Sequence, residues 1–194
     1  MSYLPLVSPD EKTSAIFENI KAGIGFIPNF FRAQTMRPDF VETEVQLMAA
    51  ILLKDGALTR QQKEYLFLVC SAANLNTYCV TAHCEIVRML RIEGPEPEQI
   101  ALDHGATNLP LALKALLNFG RKLNDCPTKL GHEDIDALRT FGFSDQQIME
   151  TIVVVGFAKF ANFVSFGLGT VPDFPPKTTL GHDRPDRAGA SQSL

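Results

Sequence analysis

Along nearly the whole chain apolar residues recur every three or four positions, and the every-second-residue alternation of a half-buried strand is almost absent. This spacing follows the 3.6-residue turn and gives each segment one core-facing stripe, so the chain reads as an all-α domain. A first helix is expected from Ser8 or Pro9 to Lys21, with Ile16, Phe17 and Ile20 inward and Gly23 and Gly25 ending it. The stretch Gly25-Phe-Ile-Pro-Asn-Phe-Phe-Arg turns into a short apolar helix. Pro38 and Asp39 open a longer helix that carries Phe40, Val41, Val45, Met48 and Leu52 to a stop at Asp55-Gly56. Thr59 suits the N-cap of the next, whose Tyr65, Leu68, Val69 and Ala72 form a core stripe with Glu64 at its margin. After Asn74-Leu75-Asn76 comes a helix with Cys79, His83, Ile86 and Leu90 at i, i+4, i+7 and i+11. Gly94-Pro95-Glu96-Pro97 is a loop. Helices then follow near Glu98 to His104, from Pro110 to about Leu123, from near His132, and from Ser144 to Leu168.

That last helix is apolar on most sides and needs partners on most sides. Thr59-Arg-Gln-Gln and Ser144-Asp-Gln-Gln open similar helices 85 residues apart, which points to an internal repeat of helical hairpins. The reading is one helical domain over residues 1–172 and, over 173–194, an extended or flexible tail that wraps a neighbour or stays loose. With 45% apolar residues in 194, the chain buries a sizeable core. A net charge of -4 with scattered Lys and Arg leaves no stripe for a phosphate backbone, so nucleic acid is not expected as a partner. The apolar run from Ile152 to Ala158 is too short to span a bilayer, no membrane contact is expected, and the chain is placed in the cytoplasm. Cysteines at 70, 79, 84 and 126 lack the density of a disulfide scaffold and read as free thiols. Cys79 and Cys84 point about 140° apart on a helix, a poor geometry for a bridge.

Cys79 and His83 share the inward face, with Cβ atoms about 5 to 6 Å apart, close enough for an imidazole to hold a thiol's proton. With Asn76 or Thr77 as cap, Cys79 falls in the first turn, where the helix dipole lowers a thiol pKa. Glu64 lies eleven residues before a turn near Leu75 and His83 eight after it. Their levels then differ by about 4.5 Å, a gap that a glutamate side chain covers to orient the imidazole. Asn76 reads as an N-cap whose amide also reaches a Cys79 thiolate. Phe26, Phe30 and Phe31 read as an apolar lining over Cys79. Taken singly, a cysteine or histidine on an apolar face is a core residue, and the combination is what points to chemistry. No metal or other cofactor is expected; a Cys/His pair at i, i+4 lacks a fourth ligand. His104, His132 and His182 read as loop or capping residues, and Cys126 as structural.

The segment from Glu64 through Tyr78, Cys79 and His83 resembles the alkylhydroperoxidase D-like, or carboxymuconolactone decarboxylase, family, closest to its peroxidase-related branch. The likeness extends to the Ile-Pro-Asn-Phe-Phe stretch before it and to the Phe-x-x-Phe-x-Asn-Phe-x-x-x-x-Leu-Gly stretch near the end. It implies an all-helical bundle that assembles as a homo-oligomer (dimer, trimer or hexamer). It also implies a Cys-x-x-Cys site whose second cysteine attacks hydroperoxide, whose first resolves the sulfenic acid, and whose glutamate and histidine relay protons. Carried over, Cys79 is the attacking thiol, His83 and Glu64 are the relay, and Tyr78 supports them. The resolving position is Asn76, so no Cys-x-x-Cys disulfide forms. Three readings stay open. Cys79 is a one-cysteine peroxidase toward a small hydroperoxide, with a thiol as reductant, or with Cys70 or Cys84 as resolver. Glu64 and His83 serve acid–base chemistry on a small carboxylate or lactone. Or the fold is catalytically silent.

Overall fold

The structure is a computed structural model that describes residues 2–177 and Leu180. Among these residues all regular structure is helical: α1 (Glu11–Ile24), α2 (Asn29–Arg32), α3 (Pro38–Ile51), α4 (Arg60–Ala73), α5 (Thr77–Met89), α6 (Pro97–Asp103), α7 (Leu111–Asp125), α8 (His132–Thr140) and α9 (Asp145–Leu168). A single 3-10 turn at Pro127–Lys129 joins α7 to α8.

Local chemistry sets the helix ends. Asp10 accepts from Thr13 N at 2.7 Å to start α1, later than Ser8, and Gly25 ends it at φ 86°, a left-handed conformation that favours glycine. Thr59 with Gln62 and Ser144 with Gln147 form the same reciprocal capping box, so the two similar sequence stretches open α4 and α9 in the same way. Phe40 is not inward: it is half exposed under the Arg37 guanidinium.

Helix α4 is the axis of the bundle, packed on α5, α6, α7 and α9. Every residue from Lys63 to Ala72 is buried. A helix enclosed on four sides has no margin, and Glu64 is fully buried rather than edge-placed. The buried Lys63 ammonium is satisfied by Glu150 Oε1 at 2.5 Å and by the Lys54 carbonyl at 2.8 Å. Gly120 lets α7 approach closely, since a Cβ there would lie 2.6 Å from Leu66 Cδ2 and 3.3 Å from Val155 Cγ2.

Helix α9, at 24 residues, is long and apolar enough to cross a membrane by length and composition, unlike the short run weighed from the sequence. One face, with Ile148, Val154, Val155, Ala158, Asn162 and Ser165, packs into the bundle. The opposite face, Met149, Ile152, Val153, Phe160, Phe163 and Phe166, is exposed, so this chain alone does not supply partners on most sides. Within the 173–194 segment, residues 173–177 dock on the chain's own bundle. Asp173 accepts from Asn29 N at 2.9 Å and from Tyr78 Oη at 2.8 Å, Phe174 stands edge-on to Phe26, and Lys177 pairs with Glu85. His182 lies outside the described residues.

Candidate active site

The α4–α5 turn creates the site. Leu75 adopts φ 57°, Leu75 N bonds Ala72 O at 3.0 Å and Asn76 N bonds Ser71 O at 2.8 Å, a Schellman-like reversal that lays α5 back along α4. Asn76 then caps α5, its Oδ1 accepting from Cys79 N at 2.8 Å. This reversal brings His83 level with Glu64, and His83 Nδ1 lies 2.6 Å from Glu64 Oε2.

Arg60, one turn earlier on α4, donates its Nε to Glu64 Oε1 at 2.5 Å. Burial alone would raise the Glu64 pKa, but the charges and hydrogen bonds of His83 and Arg60 outweigh it and hold the carboxyl below its ordinary range. Phe67 stacks on the His83 ring at 4.1 Å and 24°, fixing its plane. With Nδ1–H given to the carboxylate, a neutral His83 keeps Nε2 as a proton acceptor.

Cys79 differs from the expectation in two ways. Burial pushes its thiol up to about 12, against hydrogen bonds from Ser165, Asn162 and Ser71 that favour the thiolate. The helix terminus does not prevail, because the sulfur is enclosed by α4, α5 and α9 and the Cys79 N–H is already given to Asn76. Nor does the thiol bond the imidazole: His83 is held by Glu64 and Phe67, while the sulfur faces Ser71, Asn162 and Ser165.

The Asn76 amide does not reach the thiolate either. Its Nδ2 donates to the Asn162 carbonyl at 3.1 Å and to Ser165 Oγ at 2.8 Å, which uses both hydrogens. Tyr78 points away from Cys79. Its hydroxyl accepts from Phe30 N at 3.0 Å and donates to Asp173, so it ties α5 to α2 and to the chain after α9. Phe30 packs on Phe31 and Tyr78, and Phe26 on Phe174. A cavity of about 260 Å3 lies beneath the amino-terminal segment, between Leu6, Val7, Phe17, Ile27 and Arg32.

The other thiols are engaged elsewhere. Cys70 donates to Gly120 O at 3.8 Å, burial and the Glu98 carboxylate push Cys84 up to about 12, and Cys126 caps the end of α7. His104 Nε2 lies 2.8 Å from Asn118 Oδ1, and His132 is the first residue of α8. Among the described residues no group of three His, Cys, Asp or Glu side chains is placed to hold a metal ion.

Sequence reasoning missed four residues. Arg60 could have been found as the i−4 partner of Glu64. Asn162 and Ser165, polar at i, i+3 on one face of an apolar helix, and Ser71 inside a core stripe, gave a weaker signal.

No protein-family model and no curated protein matches the chain. Among solved structures, the alkylhydroperoxidase AhpD core of an uncharacterized peroxidase-related protein from Ralstonia eutropha JMP134 superposes with a TM-score of 0.83 at 27% identity, covering 89% of this chain and 92% of that one. The chain has the alkylhydroperoxidase D-like helical fold. A second peroxidase-related protein, from Silicibacter sp. TM1040, gives a TM-score of 0.83 at 23% identity over 92% of this chain and 94% of that one. The debrominase Bmp8, as a cysteine-to-alanine variant in complex with 2,3,4-tribromopyrrole, shares the fold at a TM-score of 0.74 and 19% identity, over 93% and 98% of the two chains.

Proposed function

We propose that the protein is a peroxidase-related thiol oxidoreductase in which Cys79 reduces a small hydroperoxide and the Glu64–His83 pair moves the proton. The observation that carries this reading is the 2.6 Å contact of His83 with the buried Glu64, one helical turn from Cys79. Because the resting thiol is protonated, sulfur attack is coupled to proton loss, directly or through one water, to His83 Nε2. The S–O bond forms as the O–O bond breaks, the electron pair goes to the departing oxygen, and His83 returns the proton so that an alcohol or water leaves. Cys79 remains as a sulfenic acid. With Asn76 in place of a resolving thiol, a small thiol reductant displaces water to give a mixed disulfide. A second thiol then releases Cys79. The free state of all four cysteines fits the reducing cytoplasm that this cycle requires.

The test is steady-state reduction of hydrogen peroxide and an alkyl hydroperoxide with a small thiol as donor. Cys79→Ser abolishes turnover, and His83→Ala and Glu64→Gln lower kcat by roughly 10²-fold or more. Turnover that survives Cys79→Ser overturns the reading.

One observation favours a second reading. The carboxylate–imidazole pair is complete while the thiol is protonated, as suits a non-redox acid–base enzyme acting on a small carboxylate or lactone. There Cys79→Ser is mild, and His83→Ala or Glu64→Gln is severe. A debrominase shares the fold, so a brominated pyrrole belongs in the same substrate screen.

A further inference from the structure

Around the Cys79 sulfur the bundle buries an unusual concentration of uncharged polar groups. Ser71, Asn76, Asn124, Asn162 and Ser165 are all buried, and they come from α4, the α4–α5 turn, α7 and α9. Leaving such groups unpaired costs about 1 to 3 kcal/mol each, so their bonds have to be accounted for. Asn162 Nδ2 donates to Ser71 Oγ at 3.0 Å, and its Oδ1 accepts from Asn74 Nδ2 at 2.8 Å. Asn74 and Asn124 exchange amide bonds at 3.0 and 2.9 Å. Asn76 Nδ2 holds Ser165 Oγ and the Asn162 carbonyl, and Ser165 Oγ donates to that same carbonyl at 3.0 Å.

Stapling α4 and α5 to α9 would account for the Asn74–Asn124–Asn162 chain, but not for where the remaining donors point. Ser71, Asn162 and Ser165 reach the one sulfur from two helices, tied to each other and to the Asn76 side chain that caps Cys79 N. Three polar side chains around a buried sulfur are more than a resting thiol requires, since it is a weak donor and a weak acceptor. They suit an atom that gains electron density or an oxygen.

We propose that Ser71, Asn162 and Ser165, positioned by Asn76, form a cradle for the sulfur-bound oxygen of oxidised Cys79, which makes the sulfenic acid a long-lived state of this protein. The inference rests on the thiol-peroxidase reading. Cys79–SH and a hydroperoxide yield Cys79–SOH and an alcohol or water, the sulfur supplying the two electrons that the O–O bond accepts. No thiol in the chain is placed to consume the product, because position 76 is an asparagine and Cys70 and Cys84 bond elsewhere. Burial of Cys79 also slows entry of a bulky external thiol. The oxygen accepts from the Ser71 hydroxyl and the second Asn162 amide hydrogen, and from Ser165 once its hydroxyl turns from the Asn162 carbonyl to the new oxygen. Asn76 thus takes a positioning role where a resolving thiol would stand.

The experiment treats the full chain with a slight excess of hydrogen peroxide, removes the peroxide with catalase, and adds dimedone after increasing delays, with intact and peptide mass as readout. The comparison is wild type against Ser165→Ala and Ser71→Ala, small changes whose folding is checked by circular dichroism. Asn162→Ala is included if it folds. Wild type is expected to hold one dimedone-reactive oxygen on Cys79 for tens of minutes. Each alanine variant shortens that lifetime at least 10-fold and accumulates sulfinic acid. Ser165→Thr, which keeps the hydroxyl, restores the lifetime. Oxidised Cys79 with equal lifetimes in wild type and variants overturns the cradle and leaves the peroxidase reading standing. No oxygen on Cys79 at any peroxide dose overturns both.

Discussion

Asn76 occupies the position of a resolving cysteine, and both ends of its side chain are committed: Oδ1 to the Cys79 N–H, Nδ2 to α9. Restoring a thiol there therefore has two separable effects. Asn76→Cys loses the cap, worth about 1 kcal/mol, and strands α9 acceptors, so the variant melts several degrees below wild type. It also places a second thiol in the turn that carries Cys79. After peroxide treatment its intact mass shows loss of two hydrogens, a disulfide, where wild type shows gain of one oxygen. Persistence of the oxygen adduct in Asn76→Cys, with no disulfide, would mean that position 76 does not face the sulfur. The two residues flanking this asparagine in the motif illustrate what spacing alone conveys. His83 meets Glu64 as the count of turns requires, because the distance along two adjacent antiparallel helices is fixed by rise per residue. The thiol's ionisation was not legible, because it depends on how deeply the sulfur is enclosed and on which groups of α9 face it.

At the level of elements, the starts of α4, α5 and α9 were readable because a cap is chemistry within four residues, whereas α1 starts at the Asp10 cap and not at Ser8 or Pro9. The all-round burial of α4 was not, since adjacent Lys63 and Glu64 look like an exposed edge until their partners, Glu150 and His83, arrive from α9 and α5. The Lys63–Glu150 pair gives this arrangement a measurable signature. Burial would raise the Glu150 pKa, but the bonds from Lys63 and Leu58 N outweigh it and hold the carboxyl below its ordinary range. The folded-state value is depressed, so the stability that this carboxylate adds is complete above the unfolded-state range, about 4.3, and is lost as pH falls through the folded-state value. Glu150→Gln removes the charge and leaves the Lys63 ammonium buried without its counter-ion, at a cost of about 3 kcal/mol near pH 7. Urea denaturation at pH 7 and at pH 3 is expected to show the gap between variant and wild type narrowing in acid. A gap that is equal at both values would mean that the pair contributes through packing and not through charge.

For the whole molecule, the all-helical bundle followed from periodicity, whereas two long-range features did not. The sulfur's surroundings come from Asn162 and Ser165, more than eighty residues away in sequence, and the docked 173–177 segment is held by Asp173 contacts to α2 and α5 that no local pattern announces. The open face of α9 joins sequence and structure in the other direction. The chain was expected to assemble with itself, and the described residues leave a row of six large apolar side chains, none charged, on that face. Phe163 is 69% exposed at its centre. An apolar helix face is self-complementary, so a two-fold contact between copies buries it without any new recognition chemistry, whereas a foreign partner would need a matching stripe of its own. A second copy is therefore the occupant we propose for this face. Light scattering coupled to size exclusion is expected to give wild type a mass above the 21.4 kDa of one chain, and Phe163→Glu a mass at or near it, because each copy would then bury a carboxylate against its neighbour. Circular dichroism of the variant should be unchanged, since an exposed side chain on the outer face contributes little to the fold of the single chain. A wild-type mass of 21.4 kDa, or an assembly that Phe163→Glu leaves intact, would remove α9 as the contact.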